Sequence, residues 1–339
     1  MLEDSRITNL KEFNYCTSKI NKWYSKQSKL LTILTNPYNT SLIFLNIIKE
    51  LIVEGKRILY VHNSYKCNEE IINELKNSNT NIKYSCDNND SESNLIFVNF
   101  KSLKEVNGPF DLCIIDDISC YSTISKEGIR EYIEYLYLFS KRIIIYSIER
   151  IVSMGTAFQL TDLIRNEVFV EPRIITTRVK LDEDMPYSLY DYLMWFKSNN
   201  RKVIIYVPNE EVIEKLYNYY TKELKIEDIQ IIKHFKKDPT IKLENLYKNK
   251  RSIFIITNDV KEYSLKESNI DIVALFSEDK IYTYKKILYF CADVGKYLKD
   301  KKYGEVLLVG KDITEDMDMA KEMARGYNKK IWEKGLLNY

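Results

Sequence analysis

The run Leu112-Cys-Ile-Ile115, closed by Asp116 and Asp117, constrains the fold more than any other stretch of the chain. A run this short and β-branched is a strand buried on both faces. Strands of that kind belong to parallel sheets covered by helices. Two carboxylates at the carboxyl end of such a strand stand at the sheet edge where α/β proteins bind ligands. They are equally an ordinary way for a strand to meet solvent, since Asp is a common strand-to-loop residue.

The pattern repeats along the chain. Leu30 to Leu34 reads as a short buried strand, followed by the turn cluster Thr35-Asn-Pro-Tyr-Asn-Thr-Ser41. An amphipathic helix over Leu42 to Ile52 comes next, ended by Gly55. Arg57 to His62 is a second strand, and strand, helix and strand make a right-handed βαβ unit. Cys67 to Lys76 is an expected helix, Leu95 to Phe100 a strand, Ile129 to Phe139 a helix and Arg142 to Ser147 a strand. The tract Asp87 to Ser93 reads as a surface loop. A less regular stretch, Val168 to Pro186, carries one expected strand, Ile174 to Val179. Alternation then resumes, with helices over Tyr187 to Ser198, Pro208 to Leu224 and Glu315 to Lys334. Strands are expected at Lys202 to Val207, Ile229 to Lys233, Ser252 to Thr257, Ile270 to Phe276 and Glu305 to Val309.

At 339 residues the chain exceeds what one core usually serves. The spacing predicts an N-terminal extension over 1–29, helical around Lys19 to Lys29, and a first domain over 30–167. A connection over 168–186 then leads to a second domain over 187–339. The near balance of charges, a net +2, argues against a protein held on DNA or membrane by bulk charge, while local basic patches stay open. The six cysteines form no C-x-x-C pair, which predicts free thiols in a reducing cytoplasm, with neither zinc nor disulfides. No apolar run approaches the roughly 20 residues of a membrane span, so no membrane insertion is expected. The two histidines, His62 and His234, have no metal-ligand neighbours at helical spacing and read as structural.

The order of segments resembles the superfamily 2 helicases, and within them the ComFA family of competence proteins, DNA-uptake ATPases of Gram-positive bacteria. The similarity runs from about Leu30 to the C-terminus. It is clearest over Phe110 to Ser119, Arg201 to Pro208 and Tyr303 to Val309, with Ala320 and Asn328 downstream. The resemblance implies an α/β fold of two tandem RecA-like domains, with parallel β-sheets flanked by helices and a cleft between them. It also implies ATP and Mg²⁺ as cofactors if activity is retained. The implied partners are single-stranded DNA and the competence or DNA-uptake proteins.

The motif chemistry is depleted. The family's phosphate loop, Gly-x-Gly-Lys-Thr, falls on Asn36-Pro37-Tyr38-Asn39-Thr40, where only Thr40 is kept and Asn39 stands in place of the lysine. Such a loop needs glycines so that backbone N–H groups close around phosphates. Asp116 matches the Mg²⁺-holding Walker B acid. Asp117 replaces the glutamate that orients the attacking water, and Ser147-Ile-Glu149 replaces the coupling motif. In the second domain, motif V falls on Ile256 to Ser264 and motif VI on Tyr289 to Lys296. There Lys296 stands for the arginine finger, a residue worth about 10³–10⁵ in rate where tested, and Asp293 for the other arginine. The expected residual sites are therefore Asp116 and Asp117 for catalysis, with Asn39, Thr40 and Lys296 for nucleotide. Arg173, Arg178 and Lys180, with Tyr187 and Tyr190 downstream, read either as a linker strand with solvated charges or as a site for a single strand, since cations track its backbone while aromatics stack its bases. Three readings follow: a pseudo-ATPase that binds DNA or its machinery, an interaction module without nucleic-acid binding, and a residual DNA-dependent ATPase.

Overall fold

The computed structural model describes residues 7–26, 28–78, 82–86, 92–165, 167–224, 228–238, 251–259, 270–295 and 304–336. Lys296 and the motif V positions from 260 onward lie outside these residues. The chain divides into two compact units, Met1–Glu167 with Lys330–Tyr339, and Val168–Lys329.

The first unit is built on a seven-stranded, all-parallel sheet in the order β3-β4-β2-β5-β6-β1-β7. Its strands are β1 (Leu30–Leu34), β2 (Ile58–His62), β3 (Tyr84–Ser85), β4 (Leu95–Asn99), β5 (Phe110–Asp116), β6 (Ser140–Ser147) and β7 (Thr156–Gln159). The helices are α1 (Leu10–Ser25), α2 (Leu45–Val53), α3 (Glu69–Asn77) and α4 (Lys126–Tyr137), and a 3₁₀ turn over Ser41–Phe44 leads into α2. Strands β2 and β4 are buried along their whole length. That is why β-branched runs without alternation form them.

The second unit carries a six-stranded parallel sheet in the order β10-β11-β9-β12-β13-β8. Its strands are β8 (Arg173–Thr176), β9 (Lys202–Tyr206), β10 (Gln230–His234), β11 (Ile253–Thr257), β12 (Ile270–Leu275) and β13 (Val306–Gly310). The helices are α5 (Tyr187–Ser198), α6 (Glu210–Asn218), α7 (Tyr284–Gly295) and α8 (Glu315–Glu333).

Three expectations are corrected, and one strand is added. The N-terminal helix spans Leu10–Ser25 rather than Lys19 to Lys29, because Phe13, Cys16, Ile20 and Trp23 give it a buried face and Asn9 caps it. It is part of the first unit's core: Trp23 Nε1 donates to the Leu30 carbonyl at 3.2 Å, where β1 begins. The stretch 168–186 is not a connection. Its strand β8 pairs with β13 and belongs to the second sheet. Strand β7 has no counterpart in the sequence pattern, being a four-residue edge strand half open to solvent. Finally, Cys67 and Cys86 are joined as a disulfide with Cα atoms 5.3 Å apart. Cys16, Cys113, Cys120 and Cys291 are free thiols.

Candidate functional site

The carboxyl ends of β1, β2, β5 and β6 lie side by side in the first sheet, and the two acids and the degenerate phosphate loop meet there. The loop keeps part of the shape that glycine would give it. Tyr38 has φ 59°. A side chain in this left-handed region costs about 1–2 kcal/mol, and Tyr38 is buried there.

The loop's donors are consumed by the chain itself. Tyr38 N donates to the Ile118 carbonyl at 2.9 Å and Thr40 N to Asn39 Oδ1 at 2.9 Å. Ser41 N donates to Glu70 Oε2 at 3.0 Å, and Leu42 N to Thr40 Oγ1 at 3.1 Å. Glu70 comes from the first turn of α3, and its carboxylate also accepts from Thr40 Oγ1 at 2.7 Å and Ser41 Oγ at 2.8 Å. A fixed carboxylate thus sits on the hydroxyl and N–H pair that a phosphate oxygen would need. A second anion there would meet Coulomb repulsion as well as the loss of these bonds.

Asn39 is held by four hydrogen bonds within the chain. Its Nδ2 donates to Thr35 Oγ1 at 2.8 Å and to the Thr161 carbonyl at 2.9 Å. Its Oδ1 accepts from Leu163 N at 3.2 Å as well as from Thr40 N. Beside it, Asn36 Nδ2 donates to Asp162 Oδ2 at 2.7 Å, and Arg165 pairs with the same oxygen at 2.9 Å. The segment after β7 therefore closes over the loop with amides and one buried ion pair.

The acids are equally committed. Asp116 is fully buried, with Oδ1 accepting from Ile118 N at 3.0 Å and Ser119 N at 2.9 Å. Its Oδ2 accepts from the Tyr60 and Ser119 hydroxyls. Burial, and then the Asp116 carboxylate, push the Tyr60 hydroxyl well above its ordinary value, so Tyr60 remains a donor. His62 lies one strand over, its pKa lowered by burial against an opposing pull from Asp116. Asp117 is 1% exposed and accepts from Ser122 Oγ at 2.5 Å. The structure thus brings Asn39, Thr40, Asp116 and Asp117 to one sheet edge, but their polar atoms serve the fold. Among the described residues, no group of three or more His, Cys, Asp or Glu side chains is placed to hold a metal ion. Sequence reasoning missed Glu70 and Tyr60. Their signals, an acid in the first turn of a helix and a tyrosine in a buried strand, each have commonplace explanations.

In the second unit the trio Arg173, Arg178 and Lys180 is split. Arg173 opens β8 at the amino edge, paired with Glu305 at 2.7 Å and donating to Tyr192 Oη at 3.1 Å. Arg178 and Lys180 lie beyond the other end of the strand, which closes at Thr176. Both are exposed, and Lys180 is 3.3 Å from Glu183. Downstream, the first turn of α5 carries Tyr187, 90% exposed, and Tyr190, 38% exposed. The motif VI segment from Tyr289 to Gly295 lies inside α7, where Tyr289, Phe290 and Cys291 are core residues.

No protein-family model matches the chain, and no curated protein does. Solved structures do. The DUF1998 helicase MrfA, solved bound to DNA and AMPPNP, superposes with a TM-score of 0.51 at 11% identity over 96% of this chain. The Mycobacterium smegmatis helicase Lhr, solved bound to single-stranded DNA and AMP-PNP, gives the same TM-score, identity and coverage. The chain spans about half the length of these helicases, 53% and 50%. The likeness establishes the fold: two parallel α/β sheets of the helicase RecA-like kind. At this identity it carries no residue roles.

Proposed function

We propose that the chain is a helicase-like protein of the ComFA type that binds single-stranded DNA, or the machinery of DNA uptake, without hydrolysing ATP. The observation that carries the second half is the Glu70 carboxylate on Thr40 and Ser41. It fills the place of a phosphate oxygen with a charge of the same sign. Asp116, which would hold Mg²⁺, has both oxygens occupied by four donors of the chain itself. The residues of the first unit that would hold ATP and Mg²⁺ are Thr40 and Asp116.

The first half is supported by the fold shared with two helicases solved on DNA, and by the exposed side chains of Arg178, Lys180, Tyr187 and Tyr190 in the second unit. Cations there would follow phosphates and tyrosines stack bases. Exposed aromatics also anchor protein partners. That favours, as a second reading, an interaction module with no nucleic-acid binding.

The test combines two titrations of the full chain. Thermal unfolding with ATP or AMPPNP and Mg²⁺ is expected to show no shift, since only a ligand that binds the folded state raises the midpoint. Anisotropy of a labelled single strand is expected to show binding that weakens steeply with salt and ignores nucleotide. A nucleotide-dependent shift, or hydrolysis that Asp116→Ala abolishes, would overturn the closed-site reading. Absence of strand binding at both low and moderate salt would leave the interaction module.

A further inference from the structure

Four neighbouring strands of the first sheet, β2, β5, β6 and β1, begin side by side at the amino edge, opposite the loop and the acids. Around these starts stand Lys56 and Arg57, Asp111, Lys141 and Arg142, and Lys29. Backbone bonds hold the row together. Asp111 N donates to the Arg57 carbonyl at 2.9 Å and Ile143 N to the Lys29 carbonyl at 2.8 Å. The starts of the four strands that carry these five cations therefore span about 14 Å, three strand spacings of roughly 4.8 Å.

Aromatic rings fix most of these cations in place. Lys29 Nζ stands 3.8 Å above the Tyr137 ring and donates to the Tyr137 carbonyl at 2.8 Å. The Tyr24 ring takes Lys56 at 5.4 Å and Arg142 at 5.6 Å, and the Phe110 ring takes Arg57 at 5.0 Å. Such contacts locate a charge without neutralising it.

Acids answer only part of the row. Lys56 pairs with Glu54, and Lys141 with Asp111 at 2.7 Å. Burial would raise the Asp111 carboxyl, but Lys141, the Arg57 N–H and Lys56 outweigh it and hold it below its ordinary value. No carboxylate among the described residues lies within ion-pair reach of Lys29, Arg57 or Arg142. The Nη1 atoms of Arg57 and Arg142 donate to the Pro109 and Lys141 carbonyls at 3.4 Å, neither of which carries a charge. Lys22 and Lys26, exposed at the end of α1, extend the positive ground beside Lys29. In a chain whose net charge is only +2, this is a strong local excess.

We propose that this amino edge is a contact surface for the phosphate backbone of a nucleic-acid strand. It is separate from the Arg178–Lys180 surface of the second unit and does not depend on it. Cations pinned along a row of strand starts suit a linear array of phosphates read without regard to sequence. A membrane surface would instead call for basic charge spread over a face, and the near-neutral chain supplies no bulk attraction to one.

The test compares three proteins in the single-strand anisotropy titration over a range of salt: the parent, a Lys29→Gln/Lys56→Gln/Lys141→Gln variant, and an Arg178→Ala/Lys180→Ala variant. Glutamine keeps much of each apolar stem and removes the charge, and far-UV circular dichroism checks folding. The triple variant is expected to bind at least about tenfold more weakly at low salt. The slope of log affinity against log salt should fall by about 2 units, at roughly 0.7 per lost phosphate contact. Glu54→Gln, which frees Lys56, is expected to tighten binding. A triple variant with the parent's slope overturns the proposal. If the Arg178/Lys180 pair alone is sensitive, the function proposed above survives without this surface. If the amino-edge lysines alone are sensitive, this surface stands and the α5 surface falls. Binding to vesicles containing anionic lipid, lost in the triple variant while strand binding is unchanged, would also overturn it.

Discussion

Replacing Asp116 by alanine would strip partners from several donors at once. The Tyr60 hydroxyl, the N–H groups of Ile118 and Ser119 and the Ser119 hydroxyl all converge on that carboxylate, and Tyr60 is fully buried. Hydrogen bonds to a charged group are worth about 1.5–3 kcal/mol each, and orphaned buried donors add their desolvation. Asp116→Ala is therefore expected to cost about 3–5 kcal/mol of folding stability by urea denaturation. A catalytic acid on a functioning phosphate site would show the opposite pattern, a lost activity and a small stability change. An unchanged urea midpoint would mean that Asp116 is not the cap described. The aspartate itself was legible in the sequence, as the polar end of a buried run. What it binds was not, because Tyr60 reaches it from a strand more than fifty positions earlier. The same holds for Glu70 and Thr40, which only the folding of α3 against the loop brings together.

At the scale of elements, periodicity located most of the strands and left the pairings open. β1 and α5 have the limits that their apolar spacing predicts, Leu30–Leu34 and Tyr187–Ser198. β7 escaped because four half-exposed residues at a sheet edge need no hydrophobic pattern. The N-terminal helix was misplaced although its buried face, Phe13 to Trp23, repeats at helical spacing. One polar residue inside a buried strand did carry usable information. Asp271 interrupts the apolar run of β12, and a charge there requires a partner. The partner is Arg201, just before β9, with Nε at 2.5 Å and a terminal nitrogen at 2.8 Å from the two carboxylate oxygens. Both side chains are within 1% of full burial. Glu305 N also donates to Asp271, so the carboxylate ties β9, β12 and the start of β13 together. Asp271→Ala should cost about 3–5 kcal/mol, because it leaves a buried guanidinium without its carboxylate. Replacing both partners with apolar residues of similar volume, Arg201→Met with Asp271→Leu, should recover most of that loss. A double-mutant cycle in urea checks this. If the double replacement is as damaging as the two single ones summed, the pair is not the coupled unit that its geometry describes.

For the whole molecule, the division into two units was approached from the sequence but not reached. The boundary after Glu167 falls where the irregular stretch begins, yet that stretch belongs to the second sheet. Composition could not show this, because a short edge strand flanked by prolines looks like a connection. Nor could it show that residues 330–339 group with the first unit. There Lys334 pairs with Glu12 of α1. The two buried carboxylates supply a test of the division. Asp116 and every partner named for it lie in the first unit, while Asp271, Arg201 and Glu305 lie in the second. Sites that share no partner add their effects within about 0.5 kcal/mol. The Asp116→Ala/Asp271→Ala chain is therefore expected to lose the sum of the two single losses, measured from each unit's unfolding by calorimetry. Where two transitions are resolved, Asp116→Ala should lower one and Asp271→Ala the other. A loss well short of the sum, or one substitution lowering both transitions equally, would mean that the two sheets unfold as one cooperative body. The measurement thus probes cores rather than any shared site, and its outcome is independent of whether nucleotide or nucleic acid binds.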